Sequence, residues 1–348
     1  MGVLKSKKKV LAFTNNNSAC NFWRTDCINP RKCCRAFYLC DFLILKNFLM
    51  EYLIKKLKDI DGISSSQISD STAKKVTNFY THKPFPNYKI DDDKISISEK
   101  GNRNYLASKF KQFVGYNKNV LEVGCGTGQL SIYFSTGNNN LIVSLDATFE
   151  SLKVAKNFAV KNSITNIKFV NTDIFDDVLT ENYFDFIWCN GVLHHTKDPY
   201  KAFCIISKSL KKEGYILVGL YNKFGRIRTI VRKYFYKIFG KKFLKIFDPT
   251  LKKLKISDDE QDAWIQDQYS HPQESLHTVD EVLKWFDNNN IEFVSSIPSC
   301  DFETPDTSDL FVKQSRGNYL TRFLKQITMI FNALGSDGGL FVLIGKKR

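Results

Sequence analysis

The sequence predicts an α/β fold: a seven-stranded, mostly parallel sheet with helices on both faces, joined to helical insertions and an N-terminal extension. Three observations predict it. From Arg103 to Leu220 short apolar runs alternate with amphipathic stretches at the pace of strand–helix units. One of these runs leads straight into a glycine-rich turn and then a helix. A chain of 348 residues can bury one such core and still carry sizeable additions.

The elements follow in order. Residues 105–113 read as a helix, and 119–123 as a buried strand ending in glycines. A helix begins at 129–134, a strand follows at 141–145, a helix at 150–162 and a strand at 167–171. Residues 184–189 are a fourth strand, 199–210 a helix and 214–220 a fifth strand. After Tyr221 the rhythm breaks for more than fifty residues. It resumes with a helix at 278–286, opened by a capping box between Thr278 and Glu281. A strand at 291–296, a helix at 319–334 and a closing apolar strand at 339–344 complete the reading, the two late strands forming an antiparallel edge pair.

Five regions result. Residues 1–60 are a basic, Cys-rich extension, and 61–102 a linker and lid; within the latter, residues 61–71 are rich in Gly, Ser and Asp. In 75–88, Pro84 and Pro86 forbid a continued helix while the aromatic side chains demand burial, so residues 78–88 are expected to fold over the ligand cleft, with Tyr80 and Phe85 near the ligand. The core is 103–222, the basic insertion 223–277, and 278–348 returns the last two strands to the core.

Charge and cysteine usage narrow the class. Between Lys223 and Lys255 twelve Lys and Arg face one acid, Asp248, so +11 of the net +15 sits in one segment. Five of nine cysteines (Cys20, Cys27, Cys33, Cys34, Cys40) fall in the first forty residues without any zinc spacing, and reduced thiols of a cytoplasmic protein are expected. No apolar run is long enough to cross a membrane; charges interrupt residues 36–54, which read as an amphipathic helix. Gly2 and Ser6 fit the N-myristoylation template, a motif short enough to arise by chance.

The chemistry-bearing motif is Val120-Leu121-Glu122-Val123-Gly124-Cys125-Gly126-Thr127-Gly128, a strand running into G-x-G-x-G before a helix. Such glycines let backbone amides approach a ligand at a helix N-terminus. Asp146 ends the next strand, where a carboxylate accepts from ribose hydroxyls. Asp173 follows the third strand, placed to accept from an adenine amino group while Ile174 packs on the ring. The fourth strand runs into Asn190-Gly191-Val192-Leu193-His194-His195. Each residue alone is a plausible cap or turn former; their order at successive strand ends points to a nucleoside ligand.

With these residues in place, 103–220 resembles the class I S-adenosylmethionine-dependent methyltransferases, and within them the ubiquinone-biosynthesis O-methyltransferase-like group. The resemblance implies a Rossmann-like core with S-adenosyl-L-methionine as cofactor. Gly124, Gly126 and Gly128 would lie along its methionine moiety, Asp146 on its ribose, Asp173 and Ile174 at its adenine, Asn190 beside it, and Glu122 at its amino end. His194 and His195 stand where the family places residues facing the methyl, and are the catalytic candidates. No Asn-Pro-Pro-Tyr or Pro-Cys signature follows the relevant strands, so oxygen or an activated carbon is the expected acceptor atom.

The insertion holds a basic amphipathic helix in which Ile227, Ile230, Val231, Tyr234, Phe235, Ile238 and Phe239 recur at three-and-four spacing. It is read as a docked helix with a solvated face, a contact with an anionic membrane surface through 223–254, an RNA-binding element, or a lid. The polar stretch 269–277 is expected at the mouth of the site, with Tyr269, His271 and His277 touching substrate. His271, Glu274 and His277 also have metal-ligand chemistry, but no metal is expected. The expected partner is a small lipophilic molecule. Methylation of a tRNA wobble base and a non-catalytic cofactor-binding scaffold are the competing readings, so nucleic acid stays open as a partner.

Overall fold

The computed structural model describes residues 57–81, 84–248, 251, 258–304, 309–331 and 339–348. The expectations for the Cys-rich extension before residue 57, for Gly2 and for the amphipathic helix at 36–54 lie outside the described residues.

The chain opens with strands β1 (Lys58–Ile60) and β2 (Ile63–Ser65) and helices α1 (Ser71–Thr81), α2 (Lys94–Arg103) and α3 (Tyr105–Val114). The core continues through β3 (Asn119–Val123), α4 (Gln129–Ser135), β4 (Leu141–Asp146), α5 (Phe149–Lys161), β5 (Ile167–Asn171), β6 (Phe184–Asn190), α6 (Pro199–Lys208) and β7 (Leu210–Tyr221). The insertion contributes α7 (Ile227–Phe239), α8 (Lys241–Phe247) and α9 (Asp258–Ser270). Then come α10 (Val279–Asn288), β8 (Ile291–Ile297), α11 (Tyr319–Thr328) and β9 (Leu340–Lys347).

Among the described residues the strands form one sheet in the order β1-β2-β5-β4-β3-β6-β7-β9-β8. From β2 through β7 every pairing is parallel, and β9 runs antiparallel between β7 and β8. The sheet therefore has nine strands where seven are predicted. The additional two straddle the boundary between the extension and the supposed linker: Asp61 (φ 53°) and Gly62 (φ 71°) are both left-handed, which makes a tight hairpin turn, and fully buried Ile63 anchors β2 beside β5. An Asp-Gly pair has linker composition, but it is also the pair that a primed turn requires.

The strand–helix rhythm of the core lies within a few residues of its sequence reading because the central strands are largely apolar runs and several helices have an explicit start. Asp198 accepts from the Lys201 amide ahead of Pro199, opening α6. Thr278 accepts from the Glu281 amide, opening α10. Only half of the predicted capping box forms, because the Glu281 carboxylate turns to Nδ1 of His277 at 2.9 Å. In the core, Phe110 meets Trp188 edge-on at 5.0 Å and Phe134 at 5.1 Å. Burying each such ring contributes about 2–3 kcal/mol, which fixes α3 and α4 over β3 and β6.

Helix α1 is absent from the sequence reading. Asp70 starts it by accepting from the amides of Thr72 and Ala73, and it ends at Thr81, before Pro84. The chain leaves β3 toward β4 on one side and toward β6 on the other, so the crevice beyond the carboxyl ends of β3 and β6 is the switch point where open sheets bind ligands.

Candidate active site

That crevice is a cavity of about 560 Å³. Glu122, Gly124, Gly126, Asp146, Asp173, Ile174, Asn190 and His195 all line it. Tyr80 and Phe85 line it too, from the segment ahead of β3. That segment is sewn onto the glycine loop: Tyr88 donates to the Thr127 carbonyl at 2.9 Å, Gln129 donates to the Asn87 carbonyl at 3.0 Å, and the Thr127 hydroxyl donates to the Pro86 carbonyl. Gly126 sits at φ 53°, and a Cβ there would come within 2.4 Å of the Phe85 carbonyl oxygen, so only glycine allows the cover to close this tightly.

Three carboxyl groups converge on the cavity. Glu122 is 3% exposed, and its carboxylate accepts from the Ser131 hydroxyl. Burial, with the neighbouring Asp146 charge, pushes it up to about 8. Burial also raises Asp146, against the amides of Thr148 (2.7 Å) and Gly126 (2.8 Å) that donate to it. Burial raises Asp173, which accepts from the Phe175 amide at 3.0 Å. Nearby, Asn190 Oδ1 is buried with no hydrogen-bond partner. Acids starved of solvent beside an unpartnered acceptor fit a ligand that brings positive charge and several donors. S-adenosylmethionine, with its sulfonium, ammonium and ribose hydroxyls, meets that demand, and Ile174 supplies apolar surface beside Asp173.

His195 faces the same cavity with its Nδ1 2.6 Å from the Gln273 carbonyl, so Nδ1 carries the proton and Nε2 the lone pair. Burial lowers it to about 4 and keeps the imidazole neutral. Its ring lies 3.6 Å from that of His271, which in turn touches Phe79 and Tyr80.

Five expected site residues do not line the cavity. His194 does not line the cavity: it is fully buried against Tyr221 at 4.1 Å, with both ring nitrogens unpartnered and its pKa lowered by burial, because the short helical turn after β6 points it into the core. Gly128 also stands back. It caps α4 in a left-handed conformation, where a Cβ would meet Ala155 at 2.8 Å, so its role is close packing. Tyr269 belongs to α9 rather than to a loop, and its hydroxyl donates to Asp248 at 2.6 Å within a small core of Leu244, Leu251 and Ile265. His277 is held by Glu281 and Ser275 under Trp285. His271 does not line the cavity itself but packs on His195 and Tyr80, which do. Glu274 is bound to Arg226, so His271, Glu274 and His277 do not converge as a ligand set.

Other cavity residues escape the sequence reading. Trp264 and Gln268, one helical turn apart on α9, line it, as do Tyr133 and Tyr221. The i, i+4 spacing of Trp264 and Gln268 was the available signal. At the rim Lys197 pairs with Asp70 at 2.6 Å, tying α1 to the core; that hydrogen bond, chief among the causes, lowers Asp70.

Several known proteins are similar to this chain. Residues 115–290, just over half of the chain, match the family model described as a methyltransferase domain. The chain is 30% identical over 125 residues to the ubiquinone biosynthesis O-methyltransferase of Haemophilus ducreyi, covering 34% of this chain and 51% of that protein. It is 32% identical over 103 residues to the uncharacterized methyltransferase YcgJ of Bacillus subtilis, covering 29% and 40%. The chain thus spans about half the length of the curated relatives it matches. Among solved structures, PKMT2 from Rickettsia typhi in complex with AdoHcy aligns at a TM-score of 0.49 and 15% identity, over 70% of this chain and 52% of that one. Geranyl diphosphate C-methyltransferase from Streptomyces coelicolor aligns at 0.46 and 12%, over 81% and 100%. With the family model matched across the strands that build the cavity, the chain belongs to the methyltransferase-domain family.

Proposed function

We propose that the protein transfers a methyl group to a hydroxyl of a small, lipophilic acceptor held beside His195. One observation carries this reading: a neutral imidazole, fixed by the Gln273 carbonyl, stands on the wall of an aromatic cavity. Tyr80, Tyr133, Tyr221 and Trp264 supply the apolar walls. Trp264 Nε1 is buried without a hydrogen-bond partner, a donor free for an acceptor oxygen. The ubiquinone-pathway relatives support oxygen as the acceptor atom.

When bound, S-adenosylmethionine supplies a methyl already activated by its sulfonium. The chain's task is then alignment and exclusion of water. In this reading Gly124 and Gly126 run along the methionine moiety, and Glu122 and Asn190 take its ammonium. Asp146 accepts from the ribose, and Asp173 and Ile174 hold the adenine. Tyr80 and residues 84–88 keep water out, and His195 takes the hydroxyl proton as the methyl moves.

Methylation of a tRNA base rests on the basic insertion. Three of its cations are already committed: Arg226 is 1% exposed and paired with Glu274, Arg232 is half-buried beside Asp248, and Lys241 pairs with Asp262 at 2.8 Å. To decide, the chain is incubated with methyl-labelled cofactor and either a lipid extract or bulk tRNA. Label in the lipid fraction, lowered about a hundredfold or more in His195→Asn, is expected. Label confined to the RNA would overturn the reading.

A further inference from the structure

Helix α7 is mounted with its polar face toward the protein and its apolar face toward solvent. Thr229 is buried, and Arg232, Lys233 and Tyr236 are half-buried, so the inward stripe is largely polar. Arg232 reaches Asp248, and the Lys233 charge is felt by Glu274 and His195. The outward stripe carries Ile230, Val231, Tyr234, Ile238 and Phe239, with Tyr234 64% and Phe239 60% exposed. The face continues onto α8 through Ile246 and Phe247, and a ladder of rings, Phe235, Phe239, Phe243 and Phe247, runs across the corner between the helices. Phe331, whose carbonyl accepts from Arg228, adds an exposed ring at the start of α7. An amphipathic helix docked on a soluble domain hides its apolar stripe; this one displays it.

Exposed cations flank the stripe: Arg228, Lys237 and Lys242. With these exposed cations beside the apolar stripe, the occupant should be apolar and anionic at once. A second copy would bring two such segments together. The chain's own residues 1–56 are also cationic, with eleven Lys and Arg against three acids. An RNA backbone has no use for the apolar stripe. At 13 residues α7 is too short to span a bilayer, and no described helix is long and apolar enough to do so.

We propose that α7 and α8 dock on the surface of an anionic phospholipid bilayer, their apolar face in the headgroup–acyl boundary and the flanking cations on lipid phosphates. This stands independently of the acceptor's identity. It also places the cavity close to the bilayer: Arg226, immediately before α7, packs on Tyr221 at 3.7 Å and donates to Gln268, both cavity residues.

The test is flotation of the full chain with phosphatidylcholine vesicles, with and without phosphatidylglycerol. Binding to the anionic vesicles and little to the neutral ones is expected. The exposed pair Ile238→Asp with Phe239→Asp should lose about tenfold or more of that binding. Lys237→Glu with Lys242→Glu should weaken it and flatten its salt dependence. Calorimetric cofactor affinity and thermal melting should be unchanged in both variants. The proposal is overturned if the wild-type chain ignores both vesicles, or if the Asp pair binds them as well as wild type. It is equally overturned if the Asp pair instead dissociates a dimer, or if salt-sensitive tRNA binding appears without vesicle binding.

Discussion

Removing the Glu274 carboxylate strands the most buried charge in the described structure. Arg226 is 1% exposed; its Nε and Nη2 donate to Glu274 at 3.0 and 2.9 Å, and its Nη1 and Nη2 to the side chain and carbonyl of Gln268 at 2.7 and 3.2 Å. Burial alone would raise Glu274, but the Arg226 hydrogen bond and charge outweigh it and hold the carboxyl below its usual range. Taking away one member of a buried pair costs about 3–5 kcal/mol. Glu274 is 15% exposed, so water can partly replace it, and the low end, about 3 kcal/mol, is expected for Glu274→Ala. At about 2–4 °C per kcal/mol that is a melting temperature lower by roughly 6–12 °C. The apolar pair Arg226→Met with Glu274→Leu should recover most of it, because no charge is left unpaired. The pH dependence follows from the sign of the shift: with its folded pKa depressed, Glu274 stabilises above its unfolded value and loses that contribution as pH falls. The gap between wild type and Glu274→Ala should therefore narrow in acid. A loss under about 1 kcal/mol in denaturant unfolding would refute the reasoning.

Other expectations concern the cofactor. Asp146→Ala should weaken S-adenosylmethionine binding by about tenfold or more in calorimetry, since it removes a charged acceptor; an unchanged affinity would remove Asp146 from the site. Because Glu122 titrates near 8 in the ligand-free protein and must ionise to hold an ammonium, affinity should rise as pH increases from about 6 to 8 and then level off. Glu122→Gln should abolish that slope, and a flat wild-type profile would contradict the role. Gly126→Ala, forcing a Cβ against the Phe85 carbonyl, should displace the cover and cost about 1–3 kcal/mol of stability; melting unchanged from wild type would show that the cover is not held there.

Much of this was legible because strand ends are written in runs. Glu122 to Gly128, Asp146, Asp173 and Asn190 each follow an apolar stretch of strand length, so order along the chain implied convergence in space. His194 and His195 could not be separated that way: adjacent residues in a helical turn point apart, and packing against Tyr221 decides which one is buried. Tyr269 reads as loop because residues 258–270 lack a strong apolar period, which hides the helix and with it Trp264 and Gln268. For α7 the period was visible, but not which stripe faces outward; that depends on Asp248 and Glu274 attracting the cations inward, a tertiary fact.

The most direct test of the central claim is a crystal structure of the chain soaked with S-adenosylhomocysteine. The nucleoside is expected between the Gly124–Gly126 turn and Ile174, its ribose hydroxyls on Asp146, its amino group on Glu122 and Asn190, and its sulfur facing His195. A ligand bound elsewhere, or in this cavity with its sulfur turned away from His195, would contradict it.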